Sequence, residues 1–177
     1  MCTRFVYNGN EKGKYSADKG HITIADLTEN YIQGKLSFND ALDIVQNQKI
    51  VYAKDAAMQA MFSDKNGRVL IIEPGIGYRL EQARYSLITN YSVLSPEVTR
   101  PYIVSGDDRF ERAKKQLEKQ DKNFSVTNAF HLLKSVRQEG IWATRVSFVY
   151  SVKENQVYYV LNNDFDNIIK YRFTEKP

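Results

Sequence analysis

Cys2 is the residue whose type and position could most directly carry covalent chemistry, and it is the single cysteine of the 177-residue chain. A small residue after an initiator methionine is where aminopeptidases usually remove that methionine. The expected mature chain therefore opens on Cys2, with a thiol and a primary α-amine on one residue. An unperturbed α-amine has a pKa of about 7.7–8.0, so much of it is near neutrality at cell pH. It can take the thiol proton, directly or through a water, and so serve as the general base. The thiolate that results is the reactive species. The ordinary alternative is a small residue at a frayed terminus. Against fraying, Thr3-Arg4-Phe5-Val6-Tyr7 reads as a strand that would anchor the chain start in a sheet.

Other chemistries find less support. One cysteine excludes an internal disulfide and a multi-cysteine metal site. The two histidines, His21 and His131, are far apart and lack ligand spacing. Neither a metal, a cofactor nor a Ser-His-Asp triad is expected, so any reaction would run without a histidine base.

The net charge of +4 raises nucleic-acid binding as an alternative. The basic residues are nevertheless interleaved with acids, as in Glu111-Arg112-Ala113-Lys114-Lys115-Gln116-Leu117-Glu118-Lys119. That pattern describes a solvated helix face, and no nucleic-acid partner is expected. No apolar run approaches the roughly 18 residues needed to cross a bilayer. The N-terminus has no apolar signal-peptide region either, so a cytoplasmic protein without a membrane partner is expected.

The elements that must position Cys2 follow from periodicity and capping. Residues 2–8 read as a first strand and 9–20 as a polar, glycine-rich loop. Thr23, with Asp26 three residues on, caps a helix whose Ile24, Leu27 and Tyr31 share a face and which Gly34 ends. Ser37, with Asp40, caps a second helix whose apolar face is Phe38, Ala41, Leu42 and Val45. A strand ending at Phe62 and one over Arg68–Glu73 flank a polar loop closing on Asn66-Gly67, a hairpin signal. Val69-Leu70-Ile71-Ile72 is apolar on both faces and should be buried on both sides. Residues 76–81 and 85–91 offer two further strands, and 92–105, with Pro96 and Pro101, read as irregular. Asp107 or Asp108 starts a helix running to about Lys119. Ser125 caps another, with Ala129, Phe130, Leu133 and Val136 facing inward.

Three strands close the chain. Val146, Phe148 and Tyr150 share a face, Val157–Leu161 is denser, and Ile169, Tyr171 and Phe173 alternate with Lys170 and Arg172. Trp142, Phe148 and the Tyr158-Tyr159 pair could line an apolar pocket, but aromatic residues on strands are read here as core. Segregated runs of strands and helices predict an α+β fold with largely antiparallel sheet, helix pairs lying outside two stacked sheets, in a single domain over residues 1–177. No internal repeat is visible.

Met1-Cys2-Thr3-Arg4-Phe5-Val6-Tyr7 resembles the opening of the choloylglycine hydrolase and penicillin V acylase family, particularly the branch that begins Cys-Thr-Arg. Leu87-Ile88-Thr89-Asn90 is similar to that family's strand-end Thr-Asn. Asp108-Arg109-Phe110-Glu111-Arg112-Ala113 is similar to its Ser-Arg-Phe-x-Arg helix start, and Thr144-Arg145 through Val157-Tyr158-Tyr159 resembles its closing strands. The resemblance implies an N-terminal nucleophile hydrolase, an αββα sandwich, that cleaves linear amides such as a conjugated bile acid, a penicillin side chain or an N-acyl amino acid. It gives Cys2 the role of nucleophile. Asn90 would donate its side-chain N–H to the developing oxyanion, and Arg109 would place a cation beside the nucleophile. Without the family, Asn90 reads as a strand-end turn residue and Arg109 as a solvated or ion-paired helix residue. Arg112 reads as a structural salt-bridge partner, and Arg4, on the same strand face as Cys2, as a weaker candidate for substrate contact.

The chain departs from the family after its first strand. Tyr7 is followed at once by Asn8-Gly9-Asn10-Glu11-Lys12-Gly13, which resembles material well downstream in the family. The Arg and Asp stretch that orients the nucleophile's amine, and the Asn-Phe pair that gives a second oxyanion contact, have no counterpart. The absent strands would leave a sheet edge exposed, which makes a homo-oligomer the expected assembly. The alternative function is a catalytically impaired remnant of the family, acting as a binding or assembly module.

Overall fold

The computed structural model describes residues 2–6, 11–18, 20–54, 56–99, 108–120 and 123–174, with the backbone alone for 2–6 and 98–99. It is mixed α+β with mainly antiparallel sheets. It divides into two compact units, Met1–Ser105 and Gly106–Pro177.

In the first unit, local chemistry starts and stops each helix where the sequence places it. The chain runs through β1 (Cys2–Val6), a 3₁₀ turn (Glu11–Gly13) and β2 (His21–Thr23) into α1 (Ile24–Ile32). Thr23 accepts the Asp26 N–H at 3.0 Å, satisfying one of the amides a helix start leaves orphaned. Past the helix end, Gly34 sits at φ +71°, where a side chain would be strained. α2 (Phe38–Asn47) opens on a full capping box. Asp40 N–H donates to the Ser37 hydroxyl at 3.1 Å, and Ser37 N–H donates back to the Asp40 carboxylate at 2.8 Å.

β3 (Lys49–Val51) then pairs in parallel with β2. This short sheet was not anticipated, because three residues per strand are too few to show alternation. β4 (Met58–Ser63), β5 (Val69–Glu73) and β6 (Gly77–Glu81) follow, and the main sheet has the order β1-β4-β5-β6, antiparallel throughout.

The β4–β5 hairpin closes on the expected loop. Gly67 takes φ +78°, and Asp64 accepts the amides of Asn66 and Arg68 at 2.8 and 3.0 Å. Arg68 also pairs with Asp64 through Nε at 2.7 Å, hydrogen-bonds Asn39, and lies over the Phe38 ring at 4.5 Å, tying the hairpin to α2. Ile24 and Leu27 of α1 and Phe38, Ala41 and Val45 of α2 form one core with Ala60, Phe62, Leu70 and Ile72 of the sheet. Tyr31 stacks on Phe62 with ring centroids 4.5 Å apart, and its hydroxyl donates to the Ser63 carbonyl. Full burial of each large apolar side chain contributes about 1.5–3 kcal/mol. Leu70, Ile71 and Ile72 are all buried, as the two-sided apolar run requires, while Val69 at its start is half-buried.

Residues 85–91, expected as a strand, are not one. From Gln82 to Ser95 the chain runs without helix or strand, and α3 (Pro96–Thr99) is a single turn with proline at its first position. This stretch crosses the sheet with its backbone held by side chains and forms no ladder.

The second unit contains α4 (Arg109–Lys119), α5 (Val126–Ser135), a 3₁₀ turn (Gly140–Trp142) and the antiparallel sheet β7 (Val146–Ser151), β8 (Gln156–Leu161), β9 (Ile169–Arg172). A Ser125–Asn128 capping box opens α5, and Phe130 is buried, edge-on to Phe165. α5 packs on β7, where Ser147 and its cross-strand partner Val160 are buried. The tight turns after β7 and β8 place Asn155, Asn162 and Asn163 at positive φ, a conformation asparagine tolerates better than most residues. Trp142 and Phe148, read as core, are instead 81% and 51% exposed. Phe148 follows Ser147 on β7 and so lies on the opposite face of the strand, and Trp142 ends the short 3₁₀ turn.

Candidate functional site

Cys2 opens β1, whose backbone pairs with β4 in the register Cys2 to Phe62 through Val6 to Met58. Phe62 pairs in turn with Leu70, and both are fully buried. The chain start is thus laid along the core sheet, as the strand reading anticipated. The side chains of Cys2 and Arg4 lie outside the described residues.

Asn90 follows buried Ile88 and precedes buried Tyr91 and Ser92, and is itself exposed. The Thr89 hydroxyl donates to Asn90 Oδ1 at 3.1 Å, which fixes the plane of the Asn90 amide. The irregular path around Asn90 is held by two buried polar side chains of the sheet that sequence reasoning did not single out. Gln59, on β4, donates through Nε2 to the carbonyls of Thr89 and Tyr91, the residues on either side of Asn90. Glu73, at the end of β5, accepts the Ser92 hydroxyl and the amides of Val93 and Leu94 at 2.8 and 3.1 Å. The same hydroxyl accepts the Ser95 amide at 2.8 Å, closing the turn. Gln59 and Glu73 are both wholly buried; the Glu73 carboxylate is satisfied by three donors, whereas Gln59 is satisfied only through Nε2, its Oε1 having no hydrogen-bond partner among the described residues. A glutamine inside Met58-Gln59-Ala60-Met61-Phe62 and a glutamate ending Val69-Leu70-Ile71-Ile72-Glu73 were the available signal.

β4 therefore touches both segments, at positions three residues apart. Its backbone pairs with the strand that Cys2 begins, with Gln59 in register with Phe5, and the Gln59 side chain grips the peptides flanking Asn90.

Arg109 belongs to the second unit, at the first position of α4, and is half-buried. Arg112 has the structural role expected of it. It pairs with Asp108 at 2.8 Å and donates to the Ser135 carbonyl at 2.7 Å, while Gln116 reaches the Ser135 hydroxyl, so α4 is fastened to the end of α5. Among the described residues, no group of three or more histidine, cysteine or acidic side chains could hold a metal ion. No helix among them is long and apolar enough to cross a membrane.

A scan against protein-family models finds no match, and a search of curated proteins finds no matching relative.

Proposed function

We propose that this chain is a hydrolase of linear amides that uses Cys2 as an N-terminal nucleophile, on a single N-terminal nucleophile hydrolase-like αββα domain over residues 1–177. The observation that carries the reading is the shared dependence on β4. One strand supports both the strand that starts at Cys2 and, through Gln59, the peptides either side of Asn90.

With Met1 removed, the Cys2 α-amine takes the thiol proton and the thiolate attacks the amide carbonyl. Asn90 is assigned the oxyanion and Arg109 the cation that lowers the thiol pKa. Collapse of the tetrahedral intermediate expels the amine, which leaves with the proton held by the α-amine. An acyl-thioester remains on Cys2, and water, deprotonated by the same amine, hydrolyses it to the free acid and the thiol. The substrate is a small acyl-amide of the bile-acid conjugate, penicillin V or N-acyl amino acid type. The cytoplasm is the proposed compartment. A homo-oligomer is proposed because, among the described residues, β1 is an edge strand of its sheet, where a second copy could pair.

The test is turnover of a panel of acyl-amides by native and Cys2→Ser protein. Release of free acid by the native chain and its loss in the variant supports the reading. The second reading, an impaired relative acting as a binding or assembly module, is favoured by the lack of the amine-orienting Arg and Asp stretch. Equal and negligible turnover by both proteins on every amide would establish it over the first.

A further inference from the structure

A cavity of about 470 Å³ lies within the first unit, between the end of α2, β3, the β5–β6 turn and the Glu11–Gly13 turn. Its size falls in the range of small-molecule sites, about 300–1,000 Å³. Val45, Ile50, Ile72 and Ile76 line it, and two lysines, Lys12 and Lys49, stand exposed among the lining residues. The glutamate that contributes to its wall, Glu73, turns its carboxylate to Ser92, Val93 and Leu94. Among the described residues neither lysine has an ion-pair partner, whereas neighbouring Lys14 is paired with Glu11. The place of Lys12 is set by its neighbour. A Cβ on Gly13 would stand 2.5 Å from the Pro74 carbonyl oxygen and 2.6 Å from the Tyr52 ring, and Gly13 accepts the Tyr52 amide at 2.7 Å. Only glycine lets this turn press against the β5–β6 turn and so bring Lys12 to the cavity.

We propose that this cavity binds a small amphipathic carboxylate, with its apolar chain against the isoleucines and Val45 and its head group at Lys12 and Lys49. An apolar pocket offers an acyl chain burial at about 0.8 kcal/mol per CH₂. Two cations without acidic partners select an anionic head over a neutral one. The proposed site is distinct in register from the proposed nucleophile. Cys2 is in register with Phe62 and Leu70, whereas the cavity is built at Ile72 and the turn that follows, further along β5.

Decanoate, decanol and acetate are suitable probes, titrated into the full chain and followed by amide chemical shifts. The expected result is saturable one-to-one binding of decanoate. Shifts should concentrate at Val45, Gln48, Ile50, Ile76 and Tyr78, with decanol weaker and acetate without effect. Lys12→Gln and Lys49→Gln, both exposed and harmless to folding, should each weaken decanoate about three- to fivefold. Cys2→Ala should bind it as the native chain does, which separates this site from the amidase reading. Absence of saturable binding, shifts that map elsewhere, or undiminished affinity in the Lys12→Gln, Lys49→Gln double variant would overturn the proposal.

Discussion

Asn90 is the residue on which the oxyanion assignment can be tested with least disturbance, because it is exposed and its backbone is held by groups other than its own side chain. Asn90→Ala should lower kcat about 10²- to 10³-fold with little change in thermal stability, the usual cost of losing one oxyanion donor. A parallel loss of stability would mean that its side chain serves the turn. A different residue governs acid sensitivity. Burial pushes the Asp64 carboxyl up, but hydrogen bonds from the Arg68 side chain, then from the Arg68 and Asn66 amides, outweigh it and hold it below its ordinary value of 3.8. A depressed folded pKa contributes stability that is present above the unfolded value and lost as pH falls through the folded one. The Tm gap between native and Asp64→Asn protein should therefore be widest near neutrality and narrow below about pH 4. A gap independent of pH would exclude the ion pair as its source.

At the scale of elements, the helices were readable because their signals are local. Thr23, Ser37 and Ser125 each cap the helix expected of them, and Ile24, Leu27, Phe38, Ala41 and Val45 form the apolar faces their spacing required. The β4–β5 hairpin was readable from Asn66-Gly67 and the apolar run after it. What escaped was the stretch over 85–91, whose alternation resembles a strand but whose carbonyls are claimed by Gln59, a residue some thirty positions away. Long-range side-chain to backbone bonds leave no periodic trace. Gln59→Leu keeps the volume and removes the donor to the Thr89 and Tyr91 carbonyls, and should cost about 1–3 kcal/mol in all. Urea unfolding should show that loss, and amide exchange should quicken from Asn90 to Ser92. Unchanged exchange there would show that the crossing is held by other means. Phe62→Ala, by contrast, opens the core beneath Tyr31 and should cost about 3–5 kcal/mol.

For the whole molecule, the α+β class with antiparallel sheets followed from the order of elements, and the coordinates bear that out. The candidate site was legible only as separate motifs. Cys2, Asn90 and Arg109 came from short stretches of sequence, whereas the buried Gln59 and Glu73 that hold the Asn90 segment needed the folded sheet to be seen. The net charge of +4 is spread among acids, so no salt-sensitive binding to oligonucleotides is expected. Intact-mass spectrometry before and after a thiol-directed acylating probe tests the central claim most directly. The chain should be lighter than its translated sequence by one methionine residue and should gain a single acyl group on Cys2. A protein that turns over amides while retaining Met1, or that never carries the acyl group on Cys2, would contradict the N-terminal nucleophile.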